Sequence, residues 1–176
     1  MADHGKLEYP PLETERLELR ILTLQDAEAV FQHFADEKIT RYMDIEPCAD
    51  VKEAEEIIRF HLEDSGCRWG LYDKMNDDFV GTCGFHCLRN TKDDFVAEIG
   101  FDLSAAYWGK GLMREGLQEI IGYGFSTMGL TMIDATVQPE NARSIQLLNK
   151  VGFTQTGELR DQLLEFYLKP PIEGTL

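Results

Sequence analysis

The chain has 176 residues, of which 43% are hydrophobic and 28% charged, the composition of an ordinary soluble globular protein with one substantial core. Its formal net charge of -15 at pH 7 argues against a nucleic-acid partner, because phosphate backbones are bound by basic surfaces. That charge is compatible with a cationic substrate such as an amine or a basic peptide, although acidity that only promotes solubility is the alternative. No apolar run approaches the roughly 18 residues that a membrane span needs, and the N-terminal residues lack the order of a secretory signal. A cytoplasmic protein without a membrane partner is therefore expected.

The first half of the chain predicts strands and two helices. Residues 14–22 alternate leucine and isoleucine with charged residues, which indicates a half-buried strand. Residues 23–26, Thr-Leu-Gln-Asp, form a capping-box pattern that opens a helix, and the apolar spacing of residues 51–62 predicts a second helix. Residues 68–72 and 79–87 lie on either side of a polar turn, which predicts a β-hairpin.

The second half mixes helices with strands. The apolar pattern predicts a strand at 95–103, a helix at 112–128, a strand at 131–138, a helix at 141–151 and final strands around 153–156 and 162–168. This order predicts an α+β (mixed α/β) fold rather than a regular βαβ array. Because we find no internal repeat or linker, one domain is expected over residues 1–176, with a core at 14–168 and short terminal tails.

The four cysteines raise the question of a metal site. Cys83 and Cys87 lie in a segment that reads as a strand, where a spacing of four residues separates them by roughly 13 Å. That distance is too great for one zinc ion at about 2.3 Å from each sulfur, although a bulge or loop would weaken the objection. The cysteines are therefore expected to be reduced, partly buried thiols, with no metal and no disulfide framework.

The stretch AYWGKGLMREG, residues 106–116, places Gly109 and Gly111 directly before a helical pattern. Helix N-termini carry unpaired N–H groups, and glycine removes the β-carbon that would hold an anion away, so this turn suits a phosphate. Neither a Walker A loop nor a dinucleotide fingerprint fits: no Ser or Thr follows Lys110 as required, and Arg114 stands where a third glycine would be needed. A simple tight turn is the alternative.

Several stretches, in order, resemble the GNAT superfamily of N-acetyltransferases in its ribosomal-protein (RimJ/RimL-like) branch. They are TERLELRILTLQDAEAV, FVGTCGF, AEIGFDLSAAYWGKGLMREGL, PENARSIQLLNKVGF and TGELRD, which together span residues 14–168. The resemblance implies a mostly antiparallel sheet of about seven strands with about four helices. It also implies that two central strands splay apart to form a cleft for acetyl-CoA, which serves as co-substrate.

In the resembled family, the glycine loop wraps the pyrophosphate of acetyl-CoA. Gly109 and Gly111 match its pattern, whereas the position usually held by Gln or Arg falls on Ala106. The resemblance implies a cofactor site made of Gly100, Phe101, Asp102, Leu103, Trp108, Gly109, Lys110, Gly111, Leu112, Met113, Arg114, Asn141, Arg143 and Ser144. A solvated helix face explains Arg143 equally well, and backbone N–H groups near residues 100–102 are natural donors to an oxyanion.

The candidate catalytic residues are Glu98, Ser144 and Asn141. Glu98 is the acidic residue best placed to take a proton from an amine, directly or through water, with a cross-strand pair as the alternative. The resemblance gives Asn141 a contact with the pantetheine arm and Ser144 one with the departing thiolate, although Asn141 is also a plausible plain N-cap. The tyrosine acid of many relatives is ruled out, because Leu148 stands at that position. No role is predicted for the histidines.

The sequence therefore predicts an acetyl-CoA-dependent N-acetyltransferase acting on a primary amine. The resemblance points to a protein or peptide N-terminal α-amine, as in ribosomal-protein N-acetyltransferases. A small amine, such as a polyamine or an aminoglycoside, is the alternative acceptor. A non-catalytic acyl-CoA-binding module and an ATP- or NAD-binding fold are competing hypotheses, and a homodimer is possible because dimers are common in the resembled branch.

Overall fold

The computed structural model of the protein describes residues 7–172, so the expectations for the outermost tails, residues 1–6 and 173–176, lie outside the described residues. Eight strands of this part form one sheet in the order β1-β2-β3-β4-β5-β6-β8-β7. They are β1 (Leu12–Glu13), β2 (Leu17–Ile21), β3 (Cys67–Asp73), β4 (Phe79–Asn90), β5 (Phe95–Leu103), β6 (Met132–Val137), β7 (Thr154–Arg160) and β8 (Leu163–Leu168). Every neighbouring pair is antiparallel except β5 and β6.

Five α-helices complete the described fold: α1 (Ala27–Phe34), α2 (Glu37–Thr40), α3 (Val51–Glu63), α4 (Leu112–Tyr123) and α5 (Ala142–Lys150). The capping box predicted before α1 is confirmed, because Thr23 and Asp26 bond reciprocally to each other's backbone. The helix predicted over 112–128 consists of α4 followed by one π-helical turn, Gly124–Met128. Over residues 7–172 no helix is long and apolar enough to cross a bilayer.

The two faces of the sheet carry separate sets of side chains because neighbouring residues of a strand point to opposite sides. On β5, Ala97 and Ile99 join the main core, together with Leu117 and Ile120 of α4. The opposite face meets α1, where His33 contacts Asp102 of β5. The predicted α+β class is thus confirmed, with α4 and α1 covering opposite faces of a mostly antiparallel sheet.

The sheet forks between β5 and β6. Their parallel pairing runs only from Val96–Met132 to Glu98–Asp134. Beyond Glu98, β5 continues along β4 as far as Leu103, whereas β6 continues along β8 as far as Val137. The splayed central strands expected from the sequence are therefore present, and the fork opens directly after Glu98.

A buried ion cluster ties α1 to β5 just beyond the fork. Asp102 Oδ1 lies 2.6 Å from His33 Nε2, and Asp102 Oδ2 accepts hydrogen bonds from Thr82 Oγ1 at 2.7 Å and Arg68 Nη2 at 3.3 Å. A Cβ atom at Gly100 would lie 2.7 Å from Arg68 Nη1, so glycine leaves room for the guanidinium. Burial raises the pKa of Asp102, but His33, Arg68 and Thr82 outweigh that effect and hold the pKa below its ordinary value. These bonds commit the Asp102 side chain to the fold.

We expect Asp102→Ala to lower the free energy of unfolding at pH 7 by about 3–5 kcal/mol, because it leaves the Arg68 charge buried without a partner. Urea unfolding measures this loss. The matched control is Glu55→Ala, which breaks an exposed pair with Arg59 one helical turn away and is expected to cost less than about 0.5 kcal/mol. Because the pKa of Asp102 is lowered in the folded state, its contribution is full above the unfolded pKa of about 3.9 and is lost as the pH falls through the lowered value. Equal losses in the two variants would contradict the assignment.

Candidate active site

The glycine loop lies between β5 and α4 and adopts a conformation that requires glycine. Gly109 and Gly111 have φ angles of 75° and 76°, in the left-handed region that other residues avoid. A Cβ atom at Gly109 would meet nothing within 4 Å, so the space beside the backbone is open. Gly111 is the N-cap of α4 and supplies no side-chain cap, which leaves the first N–H groups of the helix for a ligand. The predicted anion site is thus a helix N-terminus with free space in front of it.

Arg16 holds this loop from the far end of the chain. Its Nη1 donates to the Lys110 carbonyl at 3.0 Å, and its Nε donates to Glu115 Oε2 at 3.3 Å. Lys110 in turn places its ammonium 5.2 Å from the ring centroid of Tyr107. Arg16 was not predicted from the sequence, since its partners are more than ninety residues away and no local pattern signals them.

Trp108 and Arg143 bring the two sides of the fork together. The guanidinium carbon of Arg143 lies 3.4 Å from the ring centroid of Trp108, and Trp108 Nε1 donates to the Leu103 carbonyl at 2.8 Å. Trp108 follows β5, whereas Arg143 belongs to α5, which follows β6. The stack therefore links the β5 side of the fork to the β6 side. Trp108 and Arg143 both line an open groove of about 860 Å³ together with residues 37–38, 40–43, 45–47 and 140–142.

Asn141 lines the same groove and is the N-cap of α5, and Ser144 lies three residues further along the chain. Asn141 Oδ1 accepts the backbone N–H of Ser144 at 3.3 Å, so the N-cap interpretation of Asn141 is confirmed. The cap uses the amide oxygen only. The Asn141 amide N–H groups are therefore not used by the cap and can bond to a ligand in the groove.

Glu98 is the last residue of β5 to pair with β6, and its carboxylate has three side-chain partners. Oε1 lies 3.2 Å from His86 Nε2 and accepts from Thr136 Oγ1 at 3.1 Å, while Oε2 accepts from Arg160 Nη2 at 3.0 Å. The hydrogen bond with His86 lowers the pKa of Glu98, helped by Thr136 and Arg160 and opposed by partial burial. The cross-strand pair, which was the alternative interpretation of Glu98, is therefore also present, because His86 is the register partner of Glu98 on β4. His86 and Arg160 carried no role in the sequence analysis.

Backbone groups of β5 face the fork at alternate residues. The Phe95 carbonyl accepts from Thr131 on the β6 side, and the Ser104 N–H donates to Val80 on the β4 side, each at 2.7 Å. Alternation along the strand therefore turns the N–H of Phe101 and Leu103 toward the gap, and those of Gly100 and Asp102 toward β4. Among the oxyanion donors predicted for residues 100–102, the geometry favours the backbone N–H of Phe101, because it faces the gap.

A bulge in β4 gives Cys87 an unexpected position. The register with β5 shifts between His86 and Arg89, and Cys87 has a φ angle of 49°. One potential ligand atom each of His86, Cys87 and Glu98 lies within 4.8 Å of the others, whereas Cys83 is fully buried. All four cysteines are free thiols, and only Cys87 is exposed. Since both Glu98 oxygens already accept hydrogen bonds, we interpret this group as part of a charge network.

A mostly antiparallel sheet that forks between two parallel strands, with an anion-binding helix N-terminus beside the fork, defines the acetyltransferase class of fold. The chain belongs to the acetyltransferase (GNAT) domain family, whose model matches residues 16–154.

Relatives within this family differ in acceptor. The chain is 42% identical over 154 residues to the uncharacterized N-acetyltransferase p20 of Bacillus licheniformis, covering 85% of each. It is 28% identical over 166 residues to the ribosomal protein uS5-alanine N-acetyltransferase of Escherichia coli, covering 87% of this chain and 82% of that one. It is 26% identical over 152 residues to spermidine N(1)-acetyltransferase of Escherichia coli, covering 86% and 78%.

Solved structures support the same fold. A GNAT acetyltransferase from Bacillus anthracis matches with a TM-score of 0.75 at 25% identity, covering 90% of this chain and 96% of that one. RimL, a ribosomal L7/L12 α-N-protein acetyltransferase solved in complex with coenzyme A, matches with a TM-score of 0.79, covering 91% and 98%. At 15% identity the RimL match shows the fold alone.

We expect Gly109→Ala to weaken coenzyme A binding at least tenfold, because alanine at this φ angle distorts the loop and places a methyl group in the open space. Isothermal titration calorimetry measures the dissociation constant. Gly129→Ala is the matched control: it has a φ angle of 78° and equally open surroundings, but it follows the π-helical turn away from the loop. Both variants should lose about 1–2 kcal/mol of stability. Unchanged coenzyme A affinity in Gly109→Ala would argue against the loop as the phosphate site.

Proposed function

We propose that the protein transfers the acetyl group of acetyl-CoA to the α-amine of a protein or peptide N-terminus. The observation that carries the proposal is the position of Glu98 where the fork opens, with the backbone N–H groups of Phe101 and Leu103 facing the gap further along the same strand. This arrangement places a proton acceptor and oxyanion donors along the same free edge of β5.

Acetyl-CoA fits the residues on both sides of the fork. The N–H groups of residues 112–114 and the side chains of Lys110 and Arg114 would hold its pyrophosphate. The pantetheine arm would run along the free edge of β5 at Phe101 and Leu103, within reach of the Asn141 amide. Arg143, stacked on Trp108, would meet a nucleotide phosphate at the mouth of the groove.

The reaction needs no covalent enzyme intermediate. The amine nitrogen bonds to the acetyl carbonyl carbon, and the carbonyl oxygen becomes an oxyanion that accepts from the Phe101 N–H. The carbon–sulfur bond then breaks, and the amine proton passes to Glu98 directly or through water. The leaving thiolate accepts a hydrogen bond from the Ser144 hydroxyl and takes up one proton from solvent, while Glu98 releases the amine proton to solvent, so the products are the amide and the free thiol.

The environment of Glu98 favours an α-amine over a lysine-type amine. A glutamate whose pKa is lowered by His86 is a weak base, so it suits an acceptor that is already largely neutral. At pH 8 about half of α-amines are neutral, whereas about one in 250 amines with a pKa of 10.4 is neutral.

A polyamine is the second candidate acceptor. Glu37, Glu46 and Glu140 line the groove, the net charge is -15, and one relative is a spermidine acetyltransferase. Positive residues Lys38, Arg41 and Arg143 line the same groove, however, so its charge is mixed. The lowered pKa of Glu98 favours the α-amine as the first candidate.

A panel of acceptors tests the proposal through the release of free coenzyme A thiol. We expect peptides with a free N-terminal alanine or serine to be acetylated, the same peptides with a blocked N-terminus to be inert, and spermidine and aminoglycosides to give lower kcat/KM. A higher kcat/KM for spermidine would overturn the α-amine assignment. If no amine releases thiol while acetyl-CoA still raises the Tm, the protein is a non-catalytic binding module.

We expect Glu98→Gln to lower kcat about 10²–10³-fold, because the amide cannot accept the amine proton. Ser144→Ala should lower kcat about tenfold, the effect of losing one hydrogen bond to the thiolate. Both should leave the dissociation constant of acetyl-CoA within about twofold, as should the control Glu119→Gln on the exposed face of α4, which should also keep full activity. Loss of acetyl-CoA affinity in parallel with kcat would assign these residues to binding instead.

A further inference from the structure

Arg160 is the last residue of β7, and its guanidinium meets three carboxylates from three other strands. It lies 3.0 Å from Glu98 of β5, 3.5 Å from Glu165 of β8 and 3.9 Å from Asp134 of β6. The next two residues, Asp161 and Gln162, have positive φ angles in the turn to β8, which fixes where β7 ends. The TGELRD stretch contributed to the family resemblance without a role for any of its residues, and its arginine places a cation beside the candidate proton acceptor.

The charges of this cluster nearly balance. Three carboxylates are met by two arginines, since Arg89 Nη2 also contacts Asp134 Oδ1 at 2.7 Å. Asp134 is 3% exposed and held by both arginines, whereas the side chain of Arg160 is 38% exposed and that of Glu165 is 27% exposed. Without Arg160, the three carboxylates would keep only Arg89, a formal deficit of two positive charges. A vacant space the size of a guanidinium would remain beside Glu98 and Glu165.

Such a vacancy is what an amine with several charges would fill. A polyamine whose end nitrogen is acetylated at Glu98 carries its next ammonium group a few carbon atoms away, near carboxylates of the same cluster. A peptide α-amine carries no such second charge and gains nothing there. Arg160 already occupies this place in the protein, so its guanidinium substitutes for the second ammonium.

We infer that Arg160 is a specificity-determining residue that directs the site toward single α-amines and away from polyamines. The inference rests on the proposed amine acetylation and adds the reason for its acceptor preference. The contribution of Arg160 to the lowered pKa of Glu98 acts in the same direction, because a weaker base serves amines of high pKa poorly.

The test compares kcat/KM for spermidine with that for a neutral peptide bearing a free N-terminal alanine. Relative to the wild type, we expect Arg160→Gln to raise the spermidine-to-peptide ratio about tenfold or more, mainly through a lower KM for spermidine. Arg160→Lys should keep the wild-type ratio, because it retains the charge. The shift should shrink at high ionic strength, since the cluster is partly exposed.

Two further variants distinguish an effect of the position of Arg160 from an effect of the net charge of the cluster. Arg89→Gln removes the same charge from the other arginine of the cluster, which contacts Asp134 and not Glu98, and should change the ratio by less than about twofold. Arg160→Gln combined with Glu165→Gln restores the balance of charge and should return the ratio toward the wild type. Equal shifts in the Arg89 and Arg160 variants, or no shift in Arg160→Gln, would overturn the inference.

The outcomes distinguish the two proposals. A wild type that acetylates no amine removes the proposed function itself. If the wild type is active, and Arg160→Gln keeps the wild-type ratio, Tm and coenzyme A affinity, only the role of Arg160 is excluded. Because the readout is a change of ratio, it applies whichever acceptor the wild type prefers.

Discussion

The structure depends on the early end of the pairing between β5 and β6. Three residue pairs join the strands, and from Glu98 onward each strand follows a different neighbour. Backbone groups along the free edge of β5 then need partners other than a strand. Because α4 connects these two strands, its N-terminus and the glycine loop lie at the end of the free edge. One interruption of the sheet thus creates the cleft, its hydrogen-bond donors and its access to the proposed anion site.

The fork also explains how an acidic protein would hold the anionic co-substrate proposed for it. A net charge of -15 opposes a phosphate, and the proposed contacts of Lys110 and Arg114 offset it only in part, since Lys110 lies over Tyr107. The helix N-terminus needs no net positive charge, because its partial charge comes from aligned peptide groups. Arg16 keeps the loop in place through the Lys110 carbonyl, so the backbone can provide the binding.

Sequence patterns predicted the elements whose periodicity is strong and local. The strand at 95–103 matches β5 at both ends, and α3 differs from its prediction by one residue, because alternation and helical spacing are read within each segment. The four-residue α2 and two-residue β1 are too short to produce a pattern. In the site, Gly109 and Gly111 were predicted because glycine signals an unusual backbone. Arg160 was missed because its partners are at least five residues away and on three other strands.

Two carboxylates of β5 show why residue type alone could not assign roles. Glu98 and Asp102 lie four residues apart on the same face of one strand, and both have lowered pKa values. Asp102 is enclosed by α1, β3 and β4, so its bonds cannot open without disturbing the fold. Glu98 is held by His86, Thr136 and Arg160, and the side chains of His86 and Arg160 are 30% and 38% exposed. The same chemical group is therefore structural at one end of the fork, whereas at the other end its partners are open to solvent, as the proposed role of Glu98 requires.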